Sequence, residues 1–114
     1  MISGVFDITP IVHTPINDDV RMSHDDAVQL SPMDKIVARP GTQCITTWGE
    51  QETSEFRRQS MEWTQRWTAI PHNHAATAIE SPGRHHFDVI DDLVLPDTPL
   101  GAATARQLLG VDRP

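Results

Sequence analysis

Two loops, each placed directly after a predicted strand, constrain this chain more than any other feature of its sequence. The first follows the β-branched and aromatic run at residues 43–48 and carries Glu52, and the second follows a weaker strand pattern at residues 75–80 and carries His86. A helical pattern separates the two strands, so they are predicted to be parallel neighbours joined by a crossover helix. Because the carboxyl ends of parallel strands meet at one edge of a sheet, we expect Glu52 and His86 to approach each other there.

A carboxylate beside an imidazole is an arrangement with a known chemical use. The carboxylate accepts a hydrogen bond from the imidazole Nδ1–H, which fixes the tautomer and stabilises the imidazolium form. The imidazole then takes a proton from a nucleophile and returns it to a leaving group. Spacing alone does not separate Glu52 from Glu50 and Glu55, nor His86 from His85, so these alternatives stay open.

Besides these two strands, the chain has one more predicted strand and three predicted helices, of which the middle one is the crossover helix. Residues 2–8 have the pattern of a short buried strand that begins at the amino terminus. The predicted helix caps and stops are, in chain order, Ser23 and Pro32, Thr53 or Ser54 and Pro71, and Asp97 or Thr98 and Gly110. This order predicts an α/β fold with a short parallel sheet of about three strands, crossover helices and two unpaired edges.

The middle helix carries its apolar residues on one face, at steps of three and four. This face comprises Phe56, Trp63, Trp67 and Ile70, together with the polar Ser60. We interpret the two tryptophans as residues that pack against the sheet and not as ligand-stacking residues.

Composition excludes several classes of function. With 114 residues the chain is long enough for one small domain, and its net charge of −7 disfavours binding to a phosphate backbone. No apolar stretch is long enough to cross a bilayer, and the amino terminus lacks the pattern of a signal peptide. A single cysteine, Cys44, excludes an internal disulfide, so the cytoplasm is the expected compartment.

Two other functional classes are compatible with the sequence. The pair His72 and His74, the pair His85 and His86, and Cys44 supply enough donors for a zinc site, although their spacing matches no standard pattern. A short sheet with unpaired edges is also typical of an interaction module that self-associates or docks on a partner. We expect neither a metal nor a cofactor.

The two loops resemble the carboxyl-terminal part of the α/β-hydrolase esterases related to kynurenine formamidase (arylformamidase). In that family a strand ending in Val-Gly-x-x-[Asp/Glu] runs into Ser/Thr-x-Glu-Phe-x-Arg-Gln-Ser, and this chain has Trp48-Gly49-Glu50-Gln51-Glu52 and then Ser54-Glu55-Phe56-Arg57-Arg58-Gln59-Ser60. The family's histidine loop reads Pro-Gly-x-[Asp/Asn]-His-Phe, and this chain has Pro82-Gly83-Arg84-His85-His86-Phe87. Further similar segments are Ser3-Gly4-Val5-Phe6-Asp7-Ile8-Thr9-Pro10 and Leu95-Pro96-Asp97-Thr98-Pro99-Leu100.

The resemblance implies a partial α/β-hydrolase fold in which Glu52 is the acid and His86 the general base of a Ser-His-Glu triad. It implies an intact enzyme that hydrolyses a small carboxylic ester or arylformamide through an acyl-enzyme. Residues 1–40 correspond to the segment after a core strand with a short helix, and residues 41–114 to the unit that bears the acid and the histidine. His85 stands where the family has Asp or Asn, and we expect this difference to change the hydrogen bonds of the loop.

The nucleophile of such a triad is not evident in these residues. No G-x-S-x-G elbow and no Gly-rich oxyanion loop is present, and a complete α/β-hydrolase core needs more strands than 114 residues can supply. Ser3, Ser23 and Ser31 precede Glu52 but have no flanking glycines of the elbow type. We therefore expect a missing amino-terminal half to supply the serine, and little or no hydrolysis by the isolated chain.

Overall fold

The structure, a computed structural model, describes residues 1–110. Two five-residue strands, β1 (Ile45–Gly49) and β2 (Thr77–Ser81), pair in parallel from Ile45 opposite Thr77 to Gly49 opposite Ser81. The helices are α1 (Ile16–Val20), α2 (His24–Leu30), α3 (Ser54–Ala69) and α4 (Pro99–Leu109), and short 3₁₀ helices cover Thr9–His13, Pro32–Lys35 and Val89–Val94. The fold is thus mixed α/β with a short parallel sheet, and α3 is the crossover connection between its strands.

The third strand predicted at residues 2–8 is not formed. Only Ile2 makes a bridge, parallel to Thr47 in β1. At Ser3 the backbone turns out of the extended conformation with a φ of 45°. The backbone N–H groups of Phe6 and Asp7 then donate to the side-chain oxygen of Gln59 in α3, at 2.7 and 2.8 Å. Because a side chain takes these donors, the segment runs along α3, and the sheet has two strands and one bridge instead of about three.

The middle helix begins and ends near its predicted limits, but its cap differs from the prediction. Thr53 occupies the N-cap position without a side-chain cap bond, and the last helical residue is Ala69. Trp67 is buried and donates its indole N–H to the carbonyl of His74, which leads into β2. Trp63 stacks on the Phe6 ring at a centroid distance of 4.4 Å, so it also packs on the amino-terminal segment.

The first and last predicted helices are capped as their sequences indicate. The Ser23 hydroxyl accepts from the Asp26 backbone N–H, and the Asp26 carboxylate accepts in return from the Ser23 N–H, each at 3.1 Å. This reciprocal arrangement is a capping box. Thr98 accepts from Gly101 N–H at the start of α4, and Gly110 ends α4 with a φ of 69°. The short helix α1 between Pro15 and Arg21 was not predicted.

The core is small and lies on both faces of the sheet. Thr46 is fully buried on the face covered by α3, where its hydroxyl bonds the Thr64 hydroxyl at 2.6 Å. On the other side α4 packs against β2 and the 3₁₀ helix Val89–Val94, and buries Leu100 and Val89. None of the helices within residues 1–110 has the length and apolar character that a membrane-spanning helix needs.

Replacing Gln59 by alanine is expected to destabilise the fold. Gln59 is 4% exposed and also donates to the Asp7 carbonyl at 2.8 Å, so the substitution leaves the backbone groups of Phe6 and Asp7 without partners. We expect a loss of about 2–4 kcal/mol in the free energy of unfolding, measured by urea denaturation. Gln65→Ala is the matched control because Gln65 is exposed on the same helix, and equal losses in both variants would contradict the anchoring role.

Candidate active site

The loops that follow β1 and β2 are joined to each other by hydrogen bonds. The Glu50 N–H donates to the Ser81 carbonyl at 3.0 Å, and the Gln51 N–H donates to the Arg84 carbonyl at 2.9 Å. The Glu50 carboxylate accepts from the Gly83 N–H at 2.7 Å. These bonds continue the contact between the strands past their ends, so the two loops are held as one unit.

Gly49 allows this close approach. A Cβ atom at this position would overlap the carbonyl oxygen of Arg84, the group that accepts from Gln51. Glycine is required here for space, because its backbone does not adopt a positive φ. The strand that carries the acid loop therefore ends in the residue that lets the histidine loop pack against it.

Glu52 and His86 lie in direct contact, as the parallel strand order predicts. Glu52 Oε1 and His86 Nδ1 are 2.6 Å apart. The other carboxylate oxygen, Oε2, accepts from the Gly49 N–H and from the Ser3 hydroxyl, each at 2.7 Å. The Glu52 side chain is 1% exposed and that of His86 is 50% exposed, so a buried carboxylate supports an imidazole that is open to solvent.

The surroundings of Glu52 favour its ionised form. Burial by itself would raise the pKa of this carboxyl. The hydrogen bonds from Ser3, from the Gly49 N–H and from His86 outweigh that effect, and they hold the pKa of Glu52 below its usual value. A carboxylate that stays ionised is the form that accepts from an imidazole Nδ1–H, so in this pair Nδ1 is the donor.

The half-exposed imidazole of His86 contacts two aromatic rings. The Phe56 ring lies 5.1 Å from the imidazole in a tilted arrangement, and the Phe87 ring lies 5.3 Å away and edge-on. These rings, Glu52 and neighbouring loop residues line an open cavity of about 360 Å³. Within residues 1–110 no group bonds His86 Nε2, so this nitrogen is available to a reacting group.

The alternatives left open by the spacing have other partners. Glu50 bonds the Gly83 N–H, and Glu55 bonds the side chains of Arg58 and Gln59 in the first turns of α3. His85 accepts the Phe87 N–H at its Nδ1, 3.1 Å away, and this nitrogen lies 3.4 Å from the Asp88 carboxylate. Of these acids and histidines, only Glu52 and His86 are brought together.

An ion pair between Arg84 and the buried Asp92 supports the histidine loop. Arg84 directs its guanidinium at Asp92, with Nε and Nη2 each 2.7 Å from Oδ1, and Asp92 is 2% exposed. The pair ties the loop to the 3₁₀ helix Val89–Val94. The sequence did not indicate it, because an arginine and an aspartate eight residues apart in a loop have no fixed geometry.

None of the upstream serines is placed to attack a substrate. The hydroxyl of Ser3 is bound to Glu52 and not to His86. Ser23 caps α2, as predicted, and the Ser31 hydroxyl donates to the Ala27 carbonyl at the helix end. The sequence indicates Ser3 only as a possible nucleophile, because its contact with Glu52 spans 49 positions and no local pattern reveals it.

The histidines and Cys44 do not form a metal site in the part of the chain that the structure describes. Between residues 1 and 110, no three His, Cys, Asp or Glu side chains gather closely enough to hold a metal ion. Cys44 is buried, and burial raises the pKa of its thiol despite the opposing effects of the terminal amino group and Trp63. His85 and His86 point to different partners, Asp88 and Glu52.

Curated proteins named kynurenine formamidase are similar to this chain, as the motifs in its two loops predicted. The chain is 24% identical over 100 residues to kynurenine formamidase of Salmo salar and 25% identical over 99 residues to kynurenine formamidase of Danio rerio. Each match covers 82% of this chain and 33% of the relative, so the chain spans about a third of their length. The resemblance to kynurenine formamidases is confirmed by these matches, while no protein-family model matches the chain.

A solved structure is also similar. A crystal structure from Silicibacter sp. TM1040, described as a "putative thioesterase", matches with a TM-score of 0.70 and 26% sequence identity. The match covers 91% of this chain and 37% of that one. The chain therefore resembles portions of proteins named kynurenine formamidase and thioesterase.

The stability of the fold should depend on pH through Glu52. Because the pKa of Glu52 is lower in the folded chain than its usual value near 4.5, its carboxylate stabilises the fold above that pH, and this contribution is lost as the pH falls through the lowered value. Glu52→Gln should be less stable than the wild type near pH 7, by about 1–3 kcal/mol. In urea denaturation the gap between them should shrink as the pH falls below about 4.5. A gap that does not change with pH would contradict this assignment.

Proposed function

We propose that this chain is the carboxyl-terminal portion of an α/β-hydrolase similar to kynurenine formamidase, and that it supplies the acid and the histidine of a Ser-His-Glu triad. The observation that carries the proposal is the 2.6 Å contact between Glu52 and His86 Nδ1 at the adjacent ends of two parallel strands. In this portion residues 1–40 are the segment after a core strand, and residues 41–114 form the unit with the acid and the histidine.

His86 would act as the general base. Its Nδ1–H is held by Glu52, so the free lone pair of the ring is on Nε2, and His86 lines the open cavity. There Nε2 takes the proton of a serine hydroxyl as the serine oxygen bonds to the substrate carbonyl carbon. The imidazolium, stabilised by the Glu52 carboxylate, then returns the proton to the leaving amine or alcohol. Water releases the acyl group from the serine by the same exchange of protons.

The serine and the oxyanion donors are assigned to residues outside these 114. Upstream of Glu52, the Ser3 hydroxyl is bonded to Glu52 itself. The Ser23 and Ser31 hydroxyls bond backbone groups at the two ends of α2. Downstream, Ser60 and Ser81 are buried in the core, and the exposed Ser54 is the first residue of α3 and has no flanking glycines of the elbow type. The exposed face of His86 is consistent with this assignment, because half of the imidazole side chain is open to a group that arrives from elsewhere.

The substrate class is a small carboxylic ester or an arylformamide. The relatives are named after a formamide and, in the solved structure, a thioester substrate. Formamides, esters and thioesters all react by transfer of an acyl group from a carbonyl carbon, so one triad serves all three. Phe56 and Phe87 give the cavity beside His86 an apolar wall.

Docking on another chain or segment is a second role that the structure favours. An apolar cavity of about 470 Å³ lies beside β1 and α4, with Ile2, Ile45, Leu93 and Leu100 in its wall. Within the described residues the outer edge of β2 is unpaired. Burying such a surface stabilises an assembly, so the interaction role and the hydrolase role are compatible.

A chimera tests the proposal. The part of the salmon kynurenine formamidase that this chain does not match is joined to residues 1–114, and turnover of p-nitrophenyl acetate and N-formylkynurenine is measured. We expect turnover by the chimera and little or none by the isolated chain. His86→Ala and Glu52→Gln should each lower kcat, His86→Ala by on the order of 10⁴-fold or more, because triad members act as a unit.

His85→Ala is the matched control, since His85 adjoins His86 but contacts Asp88 and the Phe87 N–H. It should keep turnover within a few fold of the unsubstituted chimera. Turnover that survives in a folded His86→Ala chimera would contradict the proposal. Robust turnover by the isolated chain that vanishes in His86→Ala would show that the nucleophile lies within these residues.

A further inference from the structure

We propose that Ser3 is a positioning residue that holds the Glu52 carboxylate with Oε1 directed at His86. This inference rests on the proposed function, because it assigns a task to Ser3 within the same site. Ser3 touches neither the imidazole nor any group that reacts, and it would act only through Glu52.

The carboxylate of Glu52 is held from two sides. Oε2 accepts from the Ser3 hydroxyl and the Gly49 N–H, each at 2.7 Å, whereas among residues 1–110 Oε1 bonds only His86. Two donors on one oxygen fix the rotation of the carboxylate plane, and they leave the second oxygen to the imidazole. Because the Glu52 side chain is 1% exposed, water does not replace a lost donor easily.

The backbone of the amino-terminal segment places Ser3 for this contact. The Ser3 N–H donates to the Thr47 carbonyl at 2.8 Å, and the Thr47 N–H donates to the Met1 carbonyl at 2.9 Å. Ser3 is therefore fixed to β1, the strand that leads into the acid loop, two positions before Gly49. The Ser3 hydroxyl and the Glu52 carboxylate are thus both held by segments that are attached to β1.

The conformation of Ser3 supports a role for its side chain. Its φ of 45° lies in the left-handed region, which costs energy for a residue with a Cβ atom and none for glycine. A glycine would form the same backbone bonds to Thr47 without that cost. What serine adds is the hydroxyl that Glu52 accepts. Unusual backbone conformations of this kind are found at functional sites.

The test uses the 114-residue chain itself and needs no turnover. Carbon-13 NMR follows the titration of the Glu52 carboxyl, and proton NMR follows the His86 Nδ1–H, whose exchange with water the bond to Glu52 slows. In Ser3→Ala we expect the pKa of Glu52 to rise, because a donor to its ionised form is lost. We also expect the Nδ1–H resonance to broaden or disappear, because the carboxylate is free to rotate away.

Two further variants separate positioning from stability. Ser3→Gly also removes the hydroxyl but relieves the backbone strain. It should change both NMR readouts as Ser3→Ala does, while its free energy of unfolding differs from that of Ser3→Ala. Ser54→Ala is the matched control, since Ser54 is an exposed serine two residues from Glu52, and it should leave both readouts unchanged.

Each remaining outcome overturns the inference. If the Glu52 titration is the same in Ser3→Ala and Ser54→Ala, the hydroxyl does not act on the carboxylate. If the titration moves but the Nδ1–H resonance stays sharp, Ser3 stabilises the acid without positioning it. Neither result depends on hydrolysis, so failure here is distinct from an inactive chimera, which would count against the proposed function.

Discussion

The hydrogen bonds that join the two loops beyond β1 and β2 are the constraint on which the site depends. A parallel pair of strands brings two loops to the same edge, but it does not hold them together. Here Glu50 and Gln51 donate backbone N–H groups to the carbonyls of Ser81 and Arg84, and the space for these bonds exists because residue 49 is glycine. The positions of Glu52 and His86 follow from this junction.

The rest of the molecule supports the junction from several directions. The α3 helix connects the strands and, through Gln59, holds the amino-terminal segment that carries Ser3. Asp92 fixes Arg84, whose carbonyl is part of the junction. An isolated buried charge is costly, and a paired one with good geometry fixes the position of its partner. We therefore infer that the ion pair between Arg84 and Asp92 fixes the position of the histidine loop.

The sequence predicted those features that depend on neighbouring residues. Ser23 and Asp26 form a capping box because the motif is three residues apart, and Thr98 with Gly110 delimits α4 for similar local reasons. The approach of Glu52 to His86 was also predictable, since it follows from strand order. Features that depend on distant residues were not predictable. Ser3 and Glu52 are 49 positions apart, and the contact could not be inferred from either segment alone.

The strand predicted at residues 2–8 is not formed for the same reason, because contacts with distant residues decide its conformation. Its apolar pattern is genuine, but Gln59 takes the backbone donors of Phe6 and Asp7, and Ser3 turns the chain. A strand needs partners for its backbone groups, and here a side chain on a helix provides them instead. The choice among Glu50, Glu52 and Glu55 was likewise decided by contacts between loops and not by spacing.

A double-mutant cycle on the isolated chain tests the central claim most directly, namely that Glu52 and His86 act as one coupled pair. The free energies of unfolding of Glu52→Ala, His86→Ala and the double variant are compared with the wild type in urea at one pH. The structure predicts a coupling energy of about 0.5–3 kcal/mol, as found for residues in direct contact. Effects that add within about 0.5 kcal/mol would contradict it, because they would mean that the two side chains do not interact.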